Sequence, residues 1–142
     1  MKILFLLPIA FILLSATPTP TTYSLTVKIT NISSTKGLVE IGLYNSSSAF
    51  PKVGETYKKV RVKPSSDYTC TYTFKGLPSG NYAFAIYHDV NSNDECDVNF
   101  LGVPTESYGF SNNVVPTWSA PTFNECSFKM DKNKTLSVKL ID

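Results

Sequence analysis

The chain has 142 residues, 42% of them apolar and 17% charged, with a formal net charge of +2. That length suits one domain with a real core, and the composition excludes a disordered chain. Removal of an amino-terminal leader takes away Lys2 and leaves a nearly neutral protein, which excludes the electrostatic footprint of a nucleic-acid binder. Aromatic residues reach 13%, with eight Tyr and nine Phe, and these fit pleated, half-buried surfaces.

Met1-Lys2 precedes an apolar run from Ile3 to Leu14 and a small-residue exit at Ser15-Ala16. This pattern predicts a signal peptide over residues 1–16, cleaved after Ala16, and a secreted or periplasmic protein. The alternative is an uncleaved anchor. The run is shorter than the about 20 residues that span a bilayer, and no second one follows, so no membrane insertion of the mature chain is expected. Residues 17–22 (Thr-Pro-Thr-Pro-Thr-Thr) read as an extended tether before a domain at 23–142.

Period-2 alternation then predicts strands. Leu25, Val27 and Ile29 alternate with Ser24, Thr26, Lys28 and Thr30. Val39, Ile41 and Leu43 mark a second strand from Leu38 to Tyr44, after a polar turn at Asn31 to Gly37. A loop through Pro51 and Gly54 leads to a third strand, Tyr57 to Val62. The basic residues Lys52, Lys58, Lys59, Arg61 and Lys63 gather there and suit a solvated sheet edge. A fourth strand runs from Tyr68 to Phe74, and Lys75 to Gly80 reads as a connection. Tyr82 to His88 is apolar on both faces, as in a central strand. Phe123 to Met130 and Thr135 to Ile141 are the last strands, joined by a turn at Asp131 to Lys134. Seven short strands without a long helix predict an all-β fold, a single β-sandwich. Asp89 to about Thr122 is one long excursion loop, and loops of that length are often functional.

The excursion opens with an acidic segment. Counted from Asp89 as position 1, Asn91, Asn93, Glu95 and Asp97 fall at every second position, the ligand rhythm of a calcium loop. Position 6 is Asp94 instead of Gly, and position 12 is Phe100 instead of Glu, so Glu106 is the candidate for the last ligand. The expected metal set is therefore Asp89, Asn91, Asn93, Glu95, Asp97 and Glu106, with calcium as cofactor and His88 and Asn99 supporting. The competing reading is a solvated loop whose Asn and Asp side chains cap their own backbone. The four acids have no basic residue among them and should repel one another unless a cation or water screens them.

Four blocks resemble one bacterial family: Gly76-Leu77-Pro78-Ser79-Gly80-Asn81-Tyr82-Ala83; His88-Asp89-x-Asn91-x-Asn93; Asp97-x-Asn99-Phe100-Leu101-Gly102-Val103-Pro104; and Glu106-x-x-Gly109-Phe110-Ser111-Asn112. The family is catalogued as domain of unknown function 2141, and the likeness covers roughly residues 24 to 141. It implies a secreted or periplasmic protein without an assigned activity. The Gly-Leu-Pro-x-Gly-x-Tyr turn is similar to that of prealbumin-like and collagen-adhesin B-type sandwiches, which are mainly structural or adhesive. A prealbumin-like or immunoglobulin-like sandwich is the fold this implies. The chain departs from the family at Asp94, where Gly is usual, and in Cys96 and Cys126.

Cys70, Cys96 and Cys126 are an odd set in an exported chain. Cys70 is in phase with Tyr72 and Phe74 and is expected in the core. A Cys96–Cys126 disulfide would staple the excursion at both ends, and the alternative is three unpaired thiols. His88, the only histidine, lacks the local signature of a nucleophile partner. The chain is therefore read as a calcium-stabilised binding or structural module, not an enzyme, with an unknown protein or glycan as ligand. The alternative is a secreted hydrolase using His88 with Ser111 or Cys96. Trp118, Phe100, Tyr108, Phe110 and Phe123 either line a carbohydrate- or peptide-binding face or, as is commoner, pack as a satellite core beneath the loop.

Overall fold

The computed structural model describes residues 21–142; the expected leader, and residues 17–20 of the tether, lie outside the described residues. The strands are β1 (Thr22–Thr30), β2 (Leu38–Tyr44), β3 (Lys58–Val62), β4 (Cys70–Pro78), β5 (Gly80–Asp89), β6 (Tyr108–Phe110), β7 (Phe128–Met130) and β8 (Lys134–Lys139). They form two sheets, one of order β4-β1-β8 and one of order β3-β2-β5-β6, with β7 paired to the start of β5. β1 and β8 run parallel; the other ladders are antiparallel. The architecture is the expected all-β sandwich.

Alternation places Leu25, Val27 and Ile29 of β1 against Val39, Ile41 and Leu43 of β2 and Tyr82, Phe84 and Ile86 of β5. Phe74, Leu77, Met130, Val138 and Leu140 complete this core, and Cys70 lies in it as expected. Burying each such side chain contributes about 1.5–3 kcal/mol. A second apolar cluster of Tyr44, Phe50, Ala83 and Cys126 sits on the other side of the five-stranded sheet, against Phe110 and Phe123.

Eight strands form where seven were expected, and several boundaries differ from expectation. Thr22, read as tether, opens β1 and pairs with Pro78, so β4 runs through the expected connection and passes directly to β5 at Ser79. Pro78 is tolerated because β4 is an edge strand. The expected strand from Phe123 to Met130 begins as a helical turn, α1 (Phe123–Cys126), because Thr122 and Glu125 form a reciprocal capping box. Only Phe128–Met130 is extended. Within the excursion, Tyr108–Phe110 adds β6 to the sheet beside β5.

The outer face of the five-stranded sheet carries the residues out of phase with the core. In register, Glu40 lies opposite Tyr87 and Arg61, Gly42 opposite Ala85 and Lys59, and Phe110 and Tyr108 opposite Ala85 and Tyr87. The smallest side chains thus meet at the middle of the face and leave a depression. At the end of the sheet, Gly37 (φ 67°) has its Cα so close to β5 that a Cβ would lie 1.9 Å from the Asp89 carbonyl oxygen. No side chain fits there, which brings the Asn31–Gly37 turn against the strand that delivers His88 and Asp89.

Candidate functional site

Asp89 ends β5 with no solvent exposure. One carboxylate oxygen accepts from Asn93 N (3.2 Å), and the other accepts from Asp94 N (3.0 Å) and from the Arg61 guanidinium. Arg61 reaches across from β3 and pairs with Asp94 as well. The cation that the acid-rich segment lacks in sequence therefore arrives from the basic cluster of the sheet edge. β3 is an edge strand, as expected, but Lys59 and Arg61 are not simply solvated: Glu40 Oε2 lies 3.5 Å from Lys59 Nζ and 3.7 Å from Arg61 Nε.

Glu106, also buried, clamps both ends of the loop. It accepts from Val90 N (3.0 Å) and Asp97 N (3.3 Å). Asn91 Oδ1 accepts from Asn93 N (3.1 Å), and Asn93 Oδ1 from Glu95 N (3.0 Å). These are the self-capping turns of the competing reading. Ser92 and Asp94 take positive φ (60° and 67°), so Asp94 performs the left-handed turn that Gly serves elsewhere. Asn91 and Asn93 also donate to the two oxygens of Asp97, at 2.6 and 2.9 Å. Five of the six expected ligands are thus tied to the loop by side-chain hydrogen bonds, and the Glu95 carboxylate joins none of them. Asp89 and Glu106 face backbone amides and Arg61, while Asn91, Asn93 and Asp97 converge at the mouth and Glu95 is exposed. No group of three or more His, Cys, Asp or Glu side chains is placed to hold a metal among the described residues.

The supporting residues act elsewhere. His88 Nε2 donates to the Lys36 carbonyl (2.8 Å) and Nδ1 meets Ser33 Oγ (3.3 Å), so His88 orders the Asn31–Gly37 turn instead of the acidic loop. Asn99 Oδ1 accepts from Leu101 N (2.9 Å) and Val103 N (3.1 Å). With the Val98–Pro104 bridge and Gly102 at φ 78°, this builds a small hairpin that pushes Phe100 outward.

The hydrolase residues are not brought together. Ser111 is buried, with Oγ accepting from Phe84 N (3.0 Å) and donating to the Cys126 carbonyl (2.6 Å). Phe84 and His88 are about 13 Å apart along β5. Cys96 lies beside Tyr87 on the outer face, whereas His88 follows the inward phase of Phe84 and Ile86.

The expected Cys96–Cys126 bridge is not formed; all three cysteines are free. Cys126 packs beside Ala83, near the start of β5, and Cys96 lies by Tyr87 towards its end. That separation is about 13 Å along the strand, and a disulfide needs Cα atoms within about 7 Å. Burial pushes each thiol up to about 11, with Glu106, Asp97 and Glu40 adding to the effect at Cys96 and Glu125 at Cys126.

The aromatics of the excursion divide. Tyr108 and Phe110 pack edge to face, and Phe123 meets Phe50, so these three form the satellite core expected of them. Phe100 and Trp118 do not: they are 95% and 99% exposed. Between the Phe100 hairpin and the Pro116–Ala120 segment lies a groove of about 290 Å³ walled by Tyr108 and Phe110. The same two residues and Pro104 also wall the depression over Gly42 and Ala85, a cleft of about 150 Å³ bordered by Glu40, Tyr44, Tyr87 and Cys96. Burial, and then Glu40, push the Tyr87 phenol well above its ordinary range.

Fold and site together define an all-β sandwich with a self-bracketed polar loop and a partly aromatic trough on one sheet. The family model described as "Uncharacterized protein conserved in bacteria (DUF2141)" matches residues 27–138, and the chain belongs to that family. No curated protein and no solved structure matches the chain, so the prealbumin-like likeness gains no support.

Arg61→Ala leaves the buried Asp89 carboxylate without its cation and is expected to lower stability by about 3 kcal/mol. Lys59→Ala, at an exposed ammonium, is expected to cost less than about 1 kcal/mol. Urea unfolding of the two variants checks the contrast, and equal losses would deny Arg61 its special place.

Proposed function

We propose that this domain is an exported binding module that takes its ligand in the trough on the outer face of the five-stranded sheet. The observation that carries the reading is Trp118, almost fully exposed in the wall of one groove, facing Leu101 and Val103 of the hairpin that also holds Phe100 out in solvent. Large apolar side chains held out of a folded surface are costly in water and mark interaction sites when they gather around a concave floor. The Asn99-capped hairpin argues against an accidental exposure of Phe100, because its tight turn holds the ring away from the core. Export is the reading that the amino-terminal leader pattern supports.

Trp118 is the only tryptophan, so its emission reports the site directly. In the free protein it should emit as a fully hydrated indole. Titration with panels of neutral oligosaccharides and of peptides is expected to shift that emission to the blue for one class. Trp118→Ala together with Phe100→Ala should reduce the affinity, read by calorimetry, by tenfold or more. An unchanged emission against both panels, or a double variant that binds as wild type, contradicts the reading.

A second reading, calcium on the acidic loop, is favoured by the Asp97 carboxylate at the loop mouth, which takes only the side-chain amides of Asn91 and Asn93 and no cationic side chain. Asp97, at position 9, supplies the carboxylate at the loop mouth; Asn91 and Asn93 turn their amide nitrogens to it while their Oδ1 atoms accept from Asn93 N and Glu95 N, so an ion there requires both amides to turn, and Asp89 serves as the internal bracket. Binding to the native state alone raises the unfolding midpoint by mass action. Calcium, but not magnesium, is expected to raise the midpoint relative to EGTA, and Asp97→Ala is expected to remove the rise. No rise with calcium leaves Arg61 as the cation on which the loop depends.

A further inference from the structure

The cleft on the outer face of the five-stranded sheet has an apolar lining and stands beside a surplus of carboxylates. Its floor is Gly42 and Ala85, and its walls include Tyr44, Cys96, Tyr108 and Phe110. Gly42 lies between Lys59 and Ala85, and Ala85 between Gly42 and Phe110, so both floor residues sit in ladders paired on each side and offer a ligand no free strand edge. The Tyr44 hydroxyl is turned to its own loop, donating to the Lys52 carbonyl (3.2 Å). The two charged residues at the border, Glu40 and Lys59, are paired with each other at 3.5 Å. A hydroxylated ring seated there finds few partners, whereas an apolar side chain needs none. The volume, about 150 Å³, is close to that of a protein cavity that accepts one six-membered ring.

The Cys96 wall belongs to the acidic loop. At this end of the cleft stand the carboxylates of Glu40, Asp89, Asp94, Glu95, Asp97 and Glu106 against the cations of Lys59 and Arg61. Arg61 is engaged by Glu40, Asp89 and Asp94, and Lys59 by Glu40, while Glu95 and Asp97 enter no ion pair among the described residues. The surplus reaches the groups that wall the cleft. Burial first, and then Glu106, Asp97 and Glu40, push the Cys96 thiol up to about 11; burial, and then Glu40 and Glu55, push the Tyr44 phenol up to about 12.

We infer that this cleft anchors one apolar side chain of a basic peptide, whose lysine or arginine residues lie towards the Glu95 and Asp97 carboxylates. The inference rests on the binding-module reading above and names the ligand class. The anchor supplies affinity by leaving water, and the charges select the partner and speed its arrival. A fatty acid or an acidic peptide has the right apolar part but meets like charge at the loop, and a neutral sugar gains nothing from that charge. The cleft and the groove share Pro104, Tyr108 and Phe110 as a common wall, so one extended peptide can cross from the cleft to Trp118.

The test is calorimetry on residues 17–142, in EGTA and at low ionic strength so that the loop carries its full charge. The probe is a blocked peptide with a phenylalanine between two lysines. In one comparator the phenylalanine is replaced by serine, in another both lysines are replaced by glutamate, and a neutral oligosaccharide is the third. Ala85→Leu fills the floor of the cleft, Glu95→Gln with Asp97→Asn removes the two unpaired charges, and Trp118→Ala reports on the groove. Far-ultraviolet circular dichroism and the unfolding midpoint establish that each variant is folded; should Ala85→Leu not fold, Tyr108→Ala takes its place at the wall. The expected result is saturable binding of the probe, weakened tenfold or more by the serine, by the glutamates and by Ala85→Leu. The double charge variant is expected to weaken it severalfold and to reduce its dependence on salt. Equal binding of the serine peptide, or binding unchanged in Ala85→Leu, overturns the cleft as the anchor; if Trp118→Ala still weakens binding, the module reading stands. Equal binding of the glutamate peptide, or an unaffected double variant, overturns the selection by charge. Binding of the oligosaccharide in preference to the peptide overturns the ligand class. Binding of neither, with Trp118 emission unchanged, overturns the module reading as well.

Discussion

The ion pair between Arg61 and Asp89 is the contact on which the excursion and the strands that carry it depend. Asp89 is wholly buried at the end of a central strand, where an uncompensated carboxylate would cost several kcal/mol. Arg61 supplies the compensation from the edge strand, and the loop amides of Asn93 and Asp94 complete it. One side chain thereby ties β3, β5 and the start of the excursion into a unit. The same guanidinium reaches Asp94, so the positive-φ turn is held from outside as well as from within.

Glu106 continues the arrangement. By accepting from Val90 N and Asp97 N, it closes the loop into a ring and places the next residues, Ser107 and Tyr108, beside β5. β6 then carries Tyr108 and Phe110 to the outer face. Asn99 raises the Phe100 hairpin from the same ring. The excursion is therefore a braced structure whose polar interior fixes the aromatic exterior. Its two flanks expose apolar surface that the brace does not bury, which is the arrangement expected of a recognition face on a rigid support.

Most of the sandwich was legible in the sequence, because period-2 alternation of Val, Ile, Leu and aromatic residues maps directly onto strands with one buried face. The boundaries that moved did so for local reasons. Thr122 and Glu125 carry a capping-box spacing, yet Phe123 to Met130 also reads as an extended run, and the cap prevailed over its first half. The acidic loop stands out in the sequence, and its Asp89, Asn91, Asn93, Asp97 and Glu106 side chains all bond within it, while the Glu95 carboxylate does not. Their partners were not legible. Arg61 lies far from Asp89 in the chain, and only strand register brings Arg61 opposite Glu40 and beside the loop. His88 and the Cys96–Cys126 pair show the same limit: sequence proximity ties them to the excursion, while strand direction and face place His88 on the Asn31–Gly37 turn and keep Cys96 from Cys126.

Amide hydrogen exchange tests the central claim most directly. Asn93 and Asp94 are exposed loop residues, and their amides should exchange rapidly unless the Asp89 carboxylate holds them. With the Arg61–Asp89 pair intact, these two amides and those of Val90 and Asp97 are expected to be protected, and all four are expected to lose protection together in Arg61→Ala while the β1 and β2 amides keep theirs. Rapid exchange at Asn93 and Asp94 in the unaltered protein, or protection that survives Arg61→Ala, would contradict the account.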